Sequence, residues 1–160
     1  MDYFSAIRQF ACIRGAEPPL PALAAALRTS WDAATAYRGV FDPSNPAGGQ
    51  CYPTSRVVQW LYPGFDVVCG EVWTGATLER HFWNLREGDG GGEKIDLSWE
   101  QFPAGSRIQR FERLQTAAAD DSRGTQDRCA LLLTRVLRCL YPGEASPAVG
   151  GRPTAAPQED

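Results

Sequence analysis

The chain has 160 residues, 43% of them hydrophobic, and a formal net charge of −3 at pH 7. Such a chain is long enough to bury the core of one globular domain, and its acidic balance disfavours a nucleic-acid partner. Histidine occurs once, as His81, which excludes sites that need two histidines, such as the H-E-x-x-H protease helix and two-histidine iron centres. Any histidine chemistry must therefore depend on this one side chain.

The first half of the chain predicts helices separated by loops. Residues 1–14 and residues 23–31 each repeat apolar side chains at helical spacing. Prolines, glycines and Asx residues make 42–49 a loop. A further helix is predicted to begin at Gln50 and to stop at 62–64, where tyrosine is followed by proline and glycine.

The second half predicts a small antiparallel sheet followed by one more helix. Four segments are rich in β-forming residues and are bounded by turns: 65–73, 80–86, 94–98 and 108–111. Leucines and valines at helical spacing then predict a C-terminal helix over 122–140. We expect an α+β domain over 1–142 and a disordered tail over 143–160, because the tail lacks the residues that build a core.

The cysteines disfavour metal binding and suggest a reducing compartment. No C-x-x-C or C-x4-C pair occurs among Cys12, Cys51, Cys69, Cys129 and Cys139. An odd cysteine count without a secretory signal predicts reduced thiols in a cytoplasm, and no apolar stretch approaches the ~20 residues of a membrane helix. The richness in Ala, Gly and Pro, with a single lysine, is typical of a GC-rich bacterial source.

Cys51 is the cysteine whose position suggests a catalytic role, because it lies where the glycine-rich loop becomes a helix. Its thiolate would face unpaired backbone N–H groups and the positive end of the helix dipole, and both effects are expected to depress the thiol pKa. The same N–H groups can donate to a developing oxyanion, usually the largest catalytic contribution in acyl transfer. Burial as core is the alternative for Cys51 and the expectation for the other four cysteines.

A predicted hairpin relates His81 to Asp96. A two-residue turn at Gly88-Asp89 places Asp96 directly opposite His81, whereas a four-residue turn places it opposite Trp83, one diagonal from the histidine on the same face. A three-residue turn separates the two side chains onto opposite faces. Two of the three registers therefore bring the carboxylate of Asp96 to the imidazole of His81. There the carboxylate can hold the tautomer of the ring, while the other ring nitrogen accepts the proton of the cysteine thiol.

Three motifs resemble those of a known family. They are Gly49-Gln50-Cys51, His81-Phe82-Trp83-Asn84 and Ile95-Asp96-Leu97-Ser98-Trp99-Glu100-Gln101-Phe102. In this order they are similar to the G-Q-C, H-[YF]-W-N and [VI]-D-L-[ST]-x-x-Q-F signatures of bacterial YunG-like proteins, over about residues 48–102. The chain departs from the family pattern at Tyr52-Pro53, where small residues are commoner, and at 62–64.

The resemblance implies a papain- or transglutaminase-like core, with a nucleophile-bearing helix packed on a small antiparallel sheet. It implies Cys51 as nucleophile, His81 as general base and Asp96 as the residue that orients the base. Further candidates for supporting, oxyanion or substrate-binding roles are Gln50, Tyr52, Trp83, Asn84 and Gln101.

Each candidate also has a structural interpretation. His81 can be a buried structural histidine, Asp96 can form a salt bridge, and Gln101 can cap or bond to backbone. Asn84 lies on the strand face opposite His81 and is expected to bond to backbone. The tryptophans are expected to form core, with Trp83 alternatively lining the site: Trp60, Trp73, Trp83 and Trp99.

These observations predict a cytoplasmic cysteine-dependent enzyme that forms a thioester at Cys51 from an amide or ester. Water as the second substrate would make it an amidase, deamidase or peptidase, and an amine would make it a transglutaminase-like acyltransferase. The acyl substrate could be a small molecule, a peptide or a protein side chain, and no cofactor, metal, nucleic acid or membrane is expected. The alternative is a non-catalytic binding or immunity-type module that retains the fold. Nothing in the sequence fixes the oligomeric state.

Overall fold

The computed structural model describes residues 17–88 and 92–143. The helix predicted over 1–14, together with Cys12, lies outside the described residues. The tail predicted over 143–160 also lies outside them, apart from Gly143.

The described residues contain three α-helices, which we label α1 (Leu20–Ser30), α2 (Cys51–Leu61) and α3 (Arg123–Leu140). Helix α2 ends before Pro63, as the sequence predicts. The Oγ atom of Ser122 caps α3 by accepting the N–H of Thr125. The helices begin and end within a few residues of the predicted positions.

In the described ranges, four antiparallel strands form one sheet in the spatial order β3-β2-β1-β4. They are β1 (Asp66–Trp73), β2 (Leu78–Arg86), β3 (Glu93–Ile95) and β4 (Arg107–Arg113). Strand β3 is shorter than the predicted 94–98, because the chain leaves the sheet after Ile95 and forms a 3-10 turn at Trp99–Gln101. The predicted α+β class is confirmed.

The two faces of the sheet have different coverings. Phe82 and Asn84 of β2 point toward α2, where the ring of Phe82 packs against Tyr52 and the amide of Asn84 bonds to Ser55. Because side chains alternate along a strand, His81 points to the other face. There the chain between β3 and β4 covers it.

The core between the helices and the sheet is mainly aliphatic, with Trp31, Tyr62 and Phe65 as its aromatic members. Its central side chains are fully enclosed: Leu23, Leu27, Val57, Leu132 and Val136. Trp31 at the end of α1 is also buried, and its indole N–H donates to Oγ1 of Thr54 in α2 at 3.1 Å. This contact fixes the two helices relative to each other.

Two expectations about core side chains are wrong. Trp73 is 42% exposed, because it ends β1 beyond the part of the sheet that α2 covers. Cys139 is exposed on α3, near Oγ1 of Thr29, whereas Cys129 is buried as expected and Cys69 is half-buried. Among the described residues, no helix is long and apolar enough to cross a membrane.

Candidate active site

The loop before α2 is shaped by a glycine that places Cys51 at the start of the helix. Gly49 has a φ of +73°, a left-handed conformation that favours glycine. Its carbonyl accepts the N–H of Tyr37 at 2.9 Å, and a Cβ at this position would lie 3.3 Å from the same nitrogen. The chain can therefore turn tightly into the helix whose first residue is Cys51.

The surroundings of the Cys51 sulfur act on its pKa in opposite directions. Burial raises the pKa of the thiol to about 11, although part of the residue remains accessible to solvent. Interactions of the sulfur with the backbone N–H groups of Phe82, Tyr52 and Cys51 itself lower the pKa, and the negative charge of Asp96 raises it further. The expected N–H donors are thus present, but the predicted depression of the pKa is wrong because desolvation outweighs them.

His81 and Asp96 form a buried pair. The pairs Asn84↔Ile95 and Leu85↔Lys94 establish the register that the four-residue turn predicts, which places Asp96 one diagonal from His81. Nε2 of His81 lies 3.1 Å from Oδ1 and 3.0 Å from Oδ2 of Asp96. The alternative register with the two residues directly opposite each other is therefore wrong, while the contact that both registers predict is confirmed.

The other ring nitrogen of His81 has a weaker partner. Nε2 of Gln101 lies 3.4 Å from Nδ1, and the same amide donates to the carbonyl of Ser98 at 2.9 Å. In the tautomer whose Nε2–H donates to Asp96, Nδ1 carries the lone pair and can accept from the Gln101 amide. Nδ1 is thus in the form that a general base requires.

Aromatic rings enclose the histidine. The ring of Trp83 stacks on the imidazole at 5.6 Å, and Phe102 meets it edge-on at 4.9 Å. Lys94, the one lysine of the sequence, lies over Trp83 and Trp99 at 5.3 Å from each ring and forms an ion pair of 3.5 Å with Asp96. The structure therefore gives Asp96 both a histidine and a salt bridge, two roles that sequence reasoning treated as alternatives.

Among the supporting candidates, Gln50 and Asn84 bond to backbone. Nε2 of Gln50 donates to the carbonyl of Asp32 at 3.0 Å, while its Oε1 is buried without a hydrogen-bond partner. Nδ2 of Asn84 donates to the carbonyl of Ser55 at 2.9 Å, as expected for a residue on the face opposite His81. Both side chains hold α2, one at its start and one along its length.

Tyr52 belongs to a charged cluster that sequence reasoning missed. Its hydroxyl bonds to Asp121 and to Arg56, and burial followed by the hydrogen bond to Asp121 raises the pKa of the phenol above its ordinary value. Arg56 is only 2% exposed although it lies within a short helix. No local pattern distinguishes such an arginine from one that faces solvent, because its partner Asp121 is remote in sequence.

The nucleophile and base candidates lie at neighbouring positions without a direct bond. The N–H that interacts with the Cys51 sulfur belongs to Phe82, the residue after His81. Within the described residues, however, no hydrogen bond joins the sulfur to the His81 ring. The structure thus assembles the His81–Asp96 pair and places Cys51 beside the same strand.

An open trough of about 530 Å³ lies on the sheet face that α2 only partly covers. Its lining includes Cys69, Arg80 and Arg110. Cys69 pairs with Phe82 across β1 and β2, but Cys51, His81 and Asp96 are not among the residues that line the trough. In the described part of the chain, no group of three or more potential ligand residues could hold a metal ion.

Comparison with known proteins identifies a family. No curated protein and no solved structure matches the chain. The profile described as YunG protein matches residues 19–141, which cover most of the sequence and include Cys51, His81 and Asp96. The chain therefore belongs to the YunG family.

Proposed function

We propose that this protein is a cysteine-dependent acyl-transfer enzyme in which Cys51 is the nucleophile, His81 the general base and Asp96 the residue that orients the base. The observation that carries the proposal is the buried His81–Asp96 pair, in which Asp96 faces Nε2 and leaves Nδ1 with only the long Gln101 contact. The residue after His81 is Phe82, whose N–H interacts with the Cys51 sulfur. A helix-borne cysteine beside a strand-borne histidine is the arrangement of papain- and transglutaminase-like folds. We propose that relationship as well.

The raised pKa of Cys51 determines how the first step would proceed. A thiol with a pKa of about 11 is ionised in only about one molecule in 10⁴ at pH 7, so little thiolate exists before substrate binds. The proton would pass from the Cys51 sulfur to Nδ1 of His81 as the sulfur attacks the substrate carbonyl carbon. The long contact between Gln101 and Nδ1 is weak enough to be replaced by the sulfur.

The second half of the reaction returns the proton. The imidazolium formed on His81, stabilised by Asp96, gives its Nδ1 proton to the leaving amine or alcohol, and the acyl group remains on Cys51 as a thioester. Water or an amine then attacks the thioester carbonyl and loses a proton to Nδ1, the carbon–sulfur bond breaks, and the Cys51 sulfur takes that proton back from His81. Water gives hydrolysis and an amine gives acyl transfer.

The backbone at the start of α2 would stabilise the negative oxygen of each tetrahedral intermediate. The N–H groups of Cys51, Tyr52 and Phe82 already interact with the sulfur, so they lie beside the carbon that it would attack. We propose that the acyl substrate, which could be a peptide, a protein side chain or a small molecule, reaches the sulfur through the part of Cys51 that remains accessible to solvent.

A non-catalytic binding module is the second candidate. It is favoured by the raised pKa of Cys51 and by the absence, among the described residues, of a hydrogen bond from its sulfur to His81. We place it second, because catalytic hydrogen bonds are often long in the unliganded state and tighten when substrate binds.

Intact-protein mass spectrometry after incubation with activated acyl esters tests the proposal. We expect one acyl group to be added and peptide mapping to locate it at Cys51, with C51A unmodified there. Decay of the adduct in water, compared with decay in the presence of a primary amine, separates hydrolysis from transfer. Acylation that is random over the cysteines, or that is equal in H81Q, would support the binding module.

A further inference from the structure

The cluster of Tyr52, Arg56 and Asp121 is closed and largely shielded from water. The Tyr52 hydroxyl donates to Oδ1 of Asp121 and accepts from Nε and Nη2 of Arg56 at 3.0 and 2.7 Å, which uses its full hydrogen-bonding capacity. Nη1 and Nη2 of Arg56 also bond to Gln59 and to the carbonyl of Thr116. The cluster therefore joins the first turn of α2 to the segment before α3.

Stability alone does not account for such a cluster. A buried ion pair loses most of its attraction to desolvation, and well-packed apolar side chains of similar volume are often as stable. Nε of Arg56 lies 3.4 Å from Oδ2 of Asp121, so the two charges offset each other without an ideal bidentate contact. What the cluster does provide is a fixed position for the ring that it holds.

That ring is next to the candidate nucleophile. Tyr52 follows Cys51, and its ring meets Phe82 edge-on at a centroid distance of 4.8 Å. The backbone N–H groups of these two residues are two of the three that interact with the Cys51 sulfur, one from α2 and one from β2. Anchoring Tyr52 thus fixes the separation between the two donors.

We propose that Arg56 and Asp121 are positioning residues, which act through Tyr52 to hold the backbone donors of α2 and β2 at the Cys51 sulfur. The proposal rests on the proposed function, because it assigns these residues to the same site. It also connects α3 to that site, since Asp121 lies just before the helix. A movement at the start of α3 would be transmitted to Cys51 through one hydroxyl group.

Two matched variants test this proposal. Y52F removes the hydroxyl and keeps the ring, while Y62F removes another buried tyrosine hydroxyl, which donates to the carbonyl of Pro18 at 2.5 Å. The measurement is the rate of alkylation by iodoacetamide as a function of pH, followed at each cysteine by peptide mass spectrometry. Cys139 is an exposed reference, and faster reaction of buried Cys129 would reveal general opening of the fold.

We expect Y52F to slow alkylation of Cys51 at pH 8.5 at least threefold and to move its pH profile upward, while Cys139 and Cys129 react as in the wild type. Y62F should leave the Cys51 profile unchanged. If Y52F does not fold, D121N should slow Cys51 in the same direction by a smaller factor, since it removes the charge but keeps an oxygen that can accept from the hydroxyl.

An unchanged or faster Cys51 rate in the folded variant, or an equal change in Y52F and Y62F, would overturn the proposal. Alkylation requires no acyl substrate, so its outcome is independent of the acylation experiment. A protein that forms no thioester but shows the Y52F effect would disprove the proposed function alone.

Discussion

Gly70 lies where a single added methyl group would disturb the ring beneath the histidine. It pairs with His81 across β1 and β2, and the indole of Trp83 packs over it. In G70A the new Cβ would lie 2.4 Å from Cη2 of Trp83 and 2.8 Å from the carbonyl oxygen of Arg110. Both distances are shorter than real Cβ contacts, so the indole or the neighbouring strand must move.

The cost can be bounded from the packing. Trp83 is 2% exposed and lies between His81 and Phe111, at centroid distances of 5.6 and 5.5 Å, so the ring has little room to retreat. Overpacking of a filled core costs about 1–3 kcal/mol. The gain of about 0.5–1 kcal/mol from replacing glycine offsets only part of this. A contact of 2.4 Å with an enclosed ring places the cost in the upper half of that range, so we expect a net loss of roughly 1–2.5 kcal/mol in the free energy of unfolding.

Urea unfolding followed by tryptophan fluorescence measures this loss, with G124A as the control. A Cβ at Gly124, in the first turn of α3, would meet only Nη1 of Arg128 at 3.7 Å, an ordinary contact. G124A should therefore match the wild type or be more stable by up to about 1 kcal/mol. If G70A is as stable as the wild type, the Trp83 ring has room to move and does not enclose His81 as described.

Two further predictions concern pH and the orienting carboxylate. Burial raises the pKa of Cys51 from 9.0 to about 11 and that of Cys129 to about 12, so above pH 9 the unfolded chain loses protons that the folded protein keeps. The free energy of unfolding should then fall by up to about 1.4 kcal/mol per pH unit for each thiol between pH 9 and 11, and C129A should show a smaller slope in urea titrations. A flat profile contradicts the assigned burial. D96N should fold but become acylated at Cys51 at least about 10-fold more slowly than the wild type at pH 7.5, because an amide no longer stabilises the imidazolium of His81. The acylation rate is measured by intact-protein mass spectrometry. Equal rates in D96N and wild type would show that Asp96 does not orient His81 for catalysis.

The parts of the fold that depend on local chemistry were predictable. Local sequence signals mark both ends of α2: a glycine-rich loop precedes Cys51, and a proline and a glycine follow the helix. The helix forms between them. The hairpin left two acceptable registers, because alternation fixes the face of Asp96 but not its partner. Only the pairing of β2 with β3 distinguishes them.

The parts that depend on remote packing were not predictable. The dipole of α2 indicates a depressed pKa for Cys51, but the burial that reverses it comes from the contact between α2 and β2. Arg56 and Asp121 are far apart in sequence, so no spacing rule pairs them. Tryptophan is a residue type expected in the core, but Trp73 is exposed, because coverage of a strand end depends on where the helix that packs on it stops.

The most direct test of the central claim is the rate of Cys51 acylation in wild type and H81Q at pH 7.5, followed by peptide-resolved mass spectrometry. With a thiol pKa of about 11, the wild-type rate depends on proton removal by His81. General-base catalysis contributes typically 10²–10⁴-fold, so we expect H81Q, once shown by circular dichroism to be folded, to be at least about 100-fold slower. Equal rates in the two folded proteins would show that His81 does not act on Cys51 and would contradict the account.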